Sequence, residues 1–415
     1  MKRNFIKILG FALTGVLALS LGSCGGNSAS DSEKNSESES VNKADYPFYA
    51  DEDSAAYEFT GNKFYNPYWL GNIMYNETVM LVDNGTSISG KLLHKPLKVL
   101  SVRDYTWQKE FKEGQDYTVT DNVINITSSS EIPYLTSENL LGDNLPEPYK
   151  LVDSIANVNT DAMKMASTIY TESSLIYGHQ VSVTYVYDVR GLNKAVIPTF
   201  GAPKTKAKLS AGEPVKIVAT GDSVMEGCST SGHFNHEPYM GTFLELFKEG
   251  LKEKYTSEIT VSNQAKGGMT SAWGSNDTQV NTMIAAKPDL LFVHFGVNDN
   301  GAGMSKNMYS DNIEYIVSKV KAALPDCEIV LIKCSTPNPV SYDSDVFKDY
   351  WTKLDNICEN YSGVSSLDMY DLSLEILKTK KYMDITGNGI NHLNDYSARL
   401  YSMAMLNSLI DYKND

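Results

Sequence analysis

The chain has 415 residues, 42% of them hydrophobic and 21% charged, with a formal net charge of −15 at pH 7. That length exceeds what one hydrophobic core usually serves, so two domains are expected. The acidic balance opposes binding to nucleic acid or to an anionic lipid surface, because phosphate repels it, whereas a neutral ligand such as a polysaccharide is unaffected.

In chain order, the first residues read as a leader. "MKRNFIK" is a basic segment, "ILGFALTGVLALSL" an apolar one, and "LGSC" sets small residues directly before Cys24. Residues 1–23 resemble a bacterial lipoprotein signal, which implies cleavage before Cys24, acylation of that cysteine, and a location outside the cytoplasm with membrane contact only through the lipid; an ordinary cleaved signal or an uncleaved anchor is the alternative. Loss of Lys2, Arg3 and Lys7, with no acid among them, takes the net charge from −15 to −18. Residues 24–45, with "GGNSASDSEKNSESESVNKAD" after the cysteine, hold almost nothing apolar and are expected to form a disordered tether.

Between residues 46 and 207 short β-type runs alternate with turn residues. "ETVMLVD", "LKVLSVRD", "QDYTVTD", "NVINITS" and "QVSVTYVYD" are rich in β-branched and aromatic residues, and "NGTSISG" and "KEG" punctuate them. No long 3.6-residue period is present, so an all-β sandwich is expected here. "TFGAPKTKAKLSAGEP", around residues 199–214, reads as the connection.

From residue 208 to 415 the pattern becomes strand, helix, strand, helix. "VKIVATGDS" leads to the amphipathic "YMGTFLELFKEGLKEKY", then to strand "EITVSNQ", a helix at "NDTQVNTMIAA" and strand "DLLFVHFG". "MYSDNIEYIVSKVKAAL", strand "CEIVLIKCS", "SDVFKDYWTKLDNICENY", strand "VSSLDMYD" and "DYSARLYSMAMLNSLIDY" follow. This alternation predicts an α/β domain, a parallel sheet covered by helices on both faces, with its chemistry at the C-terminal ends of the strands.

Four cysteines follow Cys24: Cys228, Cys327, Cys334 and Cys358. The strand between Cys327 and Cys334, at about 3.3 Å per residue, separates them by some 20 Å, too far to bridge. The pairs left open are Cys228 with Cys334 and Cys327 with Cys358, against four free thiols.

Four short stretches fall at predicted strand ends: "GDSVMEG" (221–227), "NQAKGGMT" (263–270), "GVNDN" (296–300) and, before the last helix, "GNGINHLND" (387–395). In this order they resemble the blocks of the SGNH hydrolases, the GDSL-type esterases, over roughly residues 213–412. The resemblance implies a three-layer α/β fold, Ser223 as nucleophile, His392 as its base, and Gly268 and Asn298 as donors to the oxyanion, with no cofactor. These residue types suit acyl transfer: a serine is a weak nucleophile until a base takes its proton, and a developing oxyanion needs pre-aimed N–H donors, here also the backbone N–H of Ser223.

One position departs from the family. Most members carry Asp three residues before the histidine, where this chain has Gly389. A Ser–His dyad is the preferred reading, with a backbone carbonyl near Asn388 or the carboxylate of Asp384 as candidates for the orienting role. Trp273 and Trp351 are candidates to stack on a sugar ring, or else pack in the core. His233 and His236 have metal-pair spacing but no third ligand, and His294 reads as a core residue. A β-sandwich, jelly-roll-like, before such a domain resembles the acetyl esterases of carbohydrate esterase family two. That likeness implies an acetylated poly- or oligosaccharide as substrate. A lipase or thioesterase, and a non-catalytic carbohydrate-binding lipoprotein, are the alternatives.

Overall fold

The computed structural model describes residues 41–152, 161–165, 167–342 and 344–413. The leader, Cys24 and the proposed tether up to residue 40 lie outside the described residues. The remainder of the tether is ordered in part: Lys43–Asp45 forms a 3-10 turn capped by the Asn42 side chain.

The second half contains five parallel strands in the order Ile259–Asn263, Val215–Gly221, Leu290–His294, Glu328–Lys333 and Val364–Asp368. Leu290–His294 and Glu328–Lys333 are buried at every residue. Both faces of these strands are covered, which explains their unbroken apolar runs. Alternate residues point to opposite layers. Ile217, Ala219, Leu290 and Phe292 pack with Phe243, Phe247 and Leu406 of the helices Phe243–Lys254 and Asp395–Leu409. Val218, Leu291 and Val293 pack with Ile313, Val317 and Phe347 of Lys306–Ala323 and Ser344–Asn360. The domain therefore has three layers, helix on sheet on helix, as its sequence pattern predicts.

Two of the longer helices escaped that pattern. Pro203–Ser210 lies in the predicted connection, with proline in its first turn, where no N–H is needed. Met369–Leu377 follows the fifth strand without a loop, because Asp368 ends the strand and caps the helix by accepting the N–H of Asp371.

The first half is β-rich. One antiparallel sheet runs Ile73–Met80, Gln180–Tyr187, Pro96–Arg103, Glu110–Phe111. Another runs Tyr117–Thr120, Val123–Ile126, Ile88–Lys91, Val82–Asp83, Leu135–Thr136. The chain passes from one to the other at Leu81, which is fully buried. A small ribbon orders Thr168–Tyr170, Asp161–Met165 and Lys150–Leu151.

Both halves belong to one compact unit, Val41–Asp415, and buried polar groups join them. Lys380, after the Met369–Leu377 helix, pairs with Glu77 of the Ile73–Met80 strand, both side chains being wholly buried. The Lys380 ammonium also donates to the carbonyls of Thr78 (3.0 Å) and Lys91 (2.6 Å). Arg399, on the last helix, donates to the carbonyls of Phe64 (2.9 Å) and Tyr75 (2.7 Å) and lies 4.7 Å from the centre of the Phe59 ring. Burial pushes the pKa of this guanidinium down to about 10.

The four cysteines of the α/β half are free. Neither Cys228–Cys334 nor Cys327–Cys358 is bridged, because Cys327 and Cys334 are used as small apolar groups in the layer between sheet and helices.

Candidate active site

The order of the five strands reverses around Val215–Gly221, whose C-terminal end is thus a switch point where a crevice opens. Ser223 follows at once. Asp222 turns the chain by accepting the N–H of Val224 at 3.0 Å, so that Ser223 begins the short helix Ser223–Glu226. The other Asp222 contact is His294 Nδ1 at 3.2 Å. His294 is fully buried in its strand, as its apolar surroundings predict.

His392 comes from the loop before the last helix. The Oδ1 of buried Asn388 accepts three successive backbone N–H groups, those of Ile390, Asn391 and His392, each at 3.0 Å. This clamp fixes the loop, and His392 Nε2 lies 2.8 Å from Ser223 Oγ. On its other side, His392 Nδ1 is 2.8 Å from Oε1 of Glu172. A carboxylate only accepts, so that contact puts the proton on Nδ1 and leaves Nε2 free to take one from Ser223.

Glu172 belongs to the β-rich half, in the turn between Thr168–Tyr170 and the short helix Ser174–Tyr177. It also accepts from Asn388 Nδ2 at 3.0 Å, Tyr170 OH at 3.2 Å and the Ser229 hydroxyl. Ser229 Oγ is in turn 3.0 Å from His392 Nδ1. Burial pushes the Glu172 carboxyl upward, but the hydrogen bonds from His392, Ser229 and Asn388 outweigh it and hold the group below the ordinary glutamate value of 4.5.

The absent family aspartate and the presence of Glu172 have one geometric cause. Gly389 has φ +85°, and a Cβ there would lie 2.4 Å from the carbonyl oxygen of Ile169. The 168–172 segment occupies that space, with Thr171 N–H donating to the Asn388 carbonyl at 3.1 Å. The two orienting groups expected from sequence are therefore otherwise engaged. The Asn388 carbonyl is taken by Thr171. Asp384 is buried away from His392, its carboxylate accepting from the N–H of Met80 (2.7 Å) and of Lys381 (2.8 Å).

The remaining expected residues converge. Gly268, with φ +76°, and Asn298, on the short helix Val297–Gly301, line the same cleft as Ser223, His392 and Glu172. Asn298 Nδ2 donates one hydrogen to the Met269 carbonyl at 3.0 Å, which leaves it a second. Its neighbour Asp299 is buried and accepts from the backbone N–H of Ser271 at 2.9 Å, which holds the adjoining loop. The cleft, open and about 440 Å³, is walled by Met165, Tyr170, Phe234, Tyr342, Ile390 and Asn391.

Both tryptophan candidates are corrected. Trp351 is 4% exposed and packs among Phe347, Tyr309 and Tyr370. Trp273 packs edge-on against Phe295 in the same layer. They fill space between sheet and helices, and neither lines the cleft. His236 stacks on Tyr177 with ring centres 4.1 Å apart, and His233 Nε2 lies 3.7 Å from Cys228 Sγ.

Cys228 does line the cleft, yet burial and the charges of Glu226, Glu172 and Asp222 push its thiol up to about 12. Only the thiolate reacts readily. Iodoacetamide at pH 8 is therefore expected to leave Cys228 unmodified in the folded protein and to alkylate all four of Cys228, Cys327, Cys334 and Cys358 after unfolding. Peptide mass analysis of the two samples checks this.

Residues 219–400 match the model of the GDSL-like Lipase/Acylhydrolase family, and this part of the chain is a domain of that GDSL/SGNH class. Among solved structures, the chain is similar to a two-domain esterase (CEX) active on acetylated mannans, co-crystallised with mannopentaose. The likeness is 19% in identity with a TM-score of 0.40, over 49% of this chain and 51% of that one. It is also similar to the psychrotrophic esterase EstA from Pseudoalteromonas sp. (17% identity, TM-score 0.37, 48% of this chain and 99% of that one). A third is AlinE4, an SGNH-hydrolase family esterase (19% identity, TM-score 0.31, 39% of this chain and 79% of that one). The chain thus spans about half the length of the mannan esterase. No curated protein matches.

Proposed function

We propose that the protein is a serine esterase that removes O-acetyl groups from carbohydrate through an acyl-enzyme. Ser223 Oγ attacks the acetyl carbonyl while His392 Nε2 takes its proton. Glu172 holds the Nδ1–H and stabilises the imidazolium that forms. The charge on the carbonyl oxygen falls to the N–H groups of Ser223 and Gly268 and the side-chain amide of Asn298, each worth about 3 kcal/mol in a water-excluded site. Breaking the C–O bond to the sugar releases its hydroxyl, protonated by His392 Nε2–H. Water then adds to the acetyl-serine with His392 again as base, acetate leaves, and Ser223 recovers its proton.

The observation that carries this reading is the hydrogen-bond chain from Ser223 through His392 to Glu172, with both steps at 2.8 Å. For the substrate, the support is the character of the cleft. A long acyl chain needs a continuous apolar trench leading from the serine. Here the rings of Tyr170, Phe234 and Tyr342 share the cleft with the polar groups of Asn298, Asn391 and Glu172, beside Met165 and Ile390, and that mixture suits the flat faces and hydroxyls of sugar rings.

The test is acetate release from a panel of acetylated glycans, with a fluorophosphonate to label the nucleophile. Acetate release and a single adduct on Ser223 are expected. Preference for a long-chain nitrophenyl ester would replace the carbohydrate by a lipid or thioester substrate. Glycan binding with neither turnover nor labelling would make the protein a binding module.

A further inference from the structure

We propose that Glu226 is a positioning residue that sets the direction of the Gly268 N–H, an inference resting on the esterase reading of this site. Glu226 is the last residue of the helix that Ser223 begins, and its Oε2 accepts the Gly267 N–H at 2.6 Å. A Cβ on Gly267 would stand 3.0 Å from that oxygen and 3.7 Å from the Ser223 Cβ, so the glycine is pressed between nucleophile and carboxylate. The next residue, Gly268, has φ +76° and open space where a Cβ would be. No acceptor among the described residues takes its N–H.

The physical need for such a clamp comes from the sequence. A Gly-Gly pair has the freest backbone available, and its two amide groups compete for any single alignment. With the Gly267 N–H held by a charged acceptor, the following peptide group is left facing the cleft. Other ties bring the loop near but do not choose between the two amides. Asn263 Nδ2 donates to the Met225 carbonyl at 2.9 Å, and Lys266 N–H to that of Gly221 at 3.1 Å. Glu226 therefore couples the nucleophile's own helix to the oxyanion loop. It does so at an electrostatic cost, since a carboxylate near a developing oxyanion opposes it.

Glu226→Ala is expected to lower kcat for a small acetate ester by about 10- to 100-fold with KM within about twofold, as for a weakened oxyanion donor. Glu226→Gln, whose amide oxygen accepts the same N–H without charge, is expected to recover most of that loss. Glu226→Asp is one methylene too short and should behave like Ala, which keeps the test valid if the Ala variant fails to fold. A kcat within twofold of wild type in both the Ala and Asp variants would overturn the proposal while leaving the esterase reading intact. So would a Gln variant as impaired as Ala. A wild type that neither turns over esters nor reacts with the fluorophosphonate would overturn the underlying reading and this proposal with it.

Discussion

Glu172→Gln is expected to lower kcat for acetate release by about 10³- to 10⁴-fold with KM nearly unchanged, the size of effect seen when an orienting carboxylate becomes an amide. Both oxygens of Glu172 accept: Oε1 from His392, Asn388 and Tyr170, Oε2 from Ser229. An amide keeps only one accepting oxygen: with its NH₂ toward His392 it opposes the Nδ1–H, and turned the other way it must reverse the hydrogen bond with the Ser229 hydroxyl and still brings no charge to stabilise the imidazolium. The loss is relieved if the imidazole moves its proton to Nε2, and that tautomer no longer accepts from Ser223. Kinetics on a small acetate ester, with circular dichroism to confirm folding, check the expectation. A loss below about tenfold would return the site to a Ser–His pair.

The pH dependence has a defined sign. Because the folded pKa of Glu172 lies below its ordinary value of 4.5, ionised Glu172 contributes stability that is full above that value and is lost as pH falls through the folded one. The Glu172 contribution to the stability difference between wild type and Glu172→Gln should therefore shrink in acid below 4.5, which denaturant unfolding at a series of acid pH values checks.

Lys380→Met is expected to destabilise the protein by about 3–5 kcal/mol, the cost of leaving a buried carboxylate without its cation. Glu77 would keep the Leu93 N–H at 2.9 Å and the Tyr185 hydroxyl at 2.5 Å. Neither supplies charge. Adding Glu77→Leu should recover only part of the loss, since buried Asp384, 3.8 Å from the Lys380 ammonium, and the carbonyls of Thr78 and Lys91 still lose their partner. Denaturant unfolding of wild type, single and double variants measures it, and a single variant within about 1 kcal/mol of wild type would show the pair to be dispensable. The pair joins the half that carries Glu172 to the half that carries His392, so activity in the single variant should fail at lower temperature than in wild type.

The sequence exposed the α/β half because its signals are local. Buried strands such as "DLLFVHFG" and amphipathic stretches such as "YMGTFLELFKEGLKEKY" carry their periods within a few residues. The helix Met369–Leu377 was obscured because one residue, Asp368, both ends a strand and caps a helix, leaving no turn signal between them. Ser223, His392, Gly268 and Asn298 were legible from four strand-end motifs, and the structure gathers them in one cleft. Glu172 was not legible, since only tertiary packing joins residue 172 to residue 392. Its trace in the sequence is indirect. A glycine stands where a carboxylate is usual, and the structure uses the missing side chain to admit the backbone of Ile169. Asn388 was more accessible, because a buried Asn ahead of several free N–H groups is a local loop-ordering device.

The ribbon that supplies Glu172 makes the β-rich half something other than a detachable appendage. Exchanging that half for a counterpart from another esterase would remove an ionic partner from the imidazole even if every strand of the recipient folded undisturbed. Modular recombination across this junction should thus yield soluble but sluggish chimaeras, unless the incoming piece brings an equivalent carboxylate to the same spot.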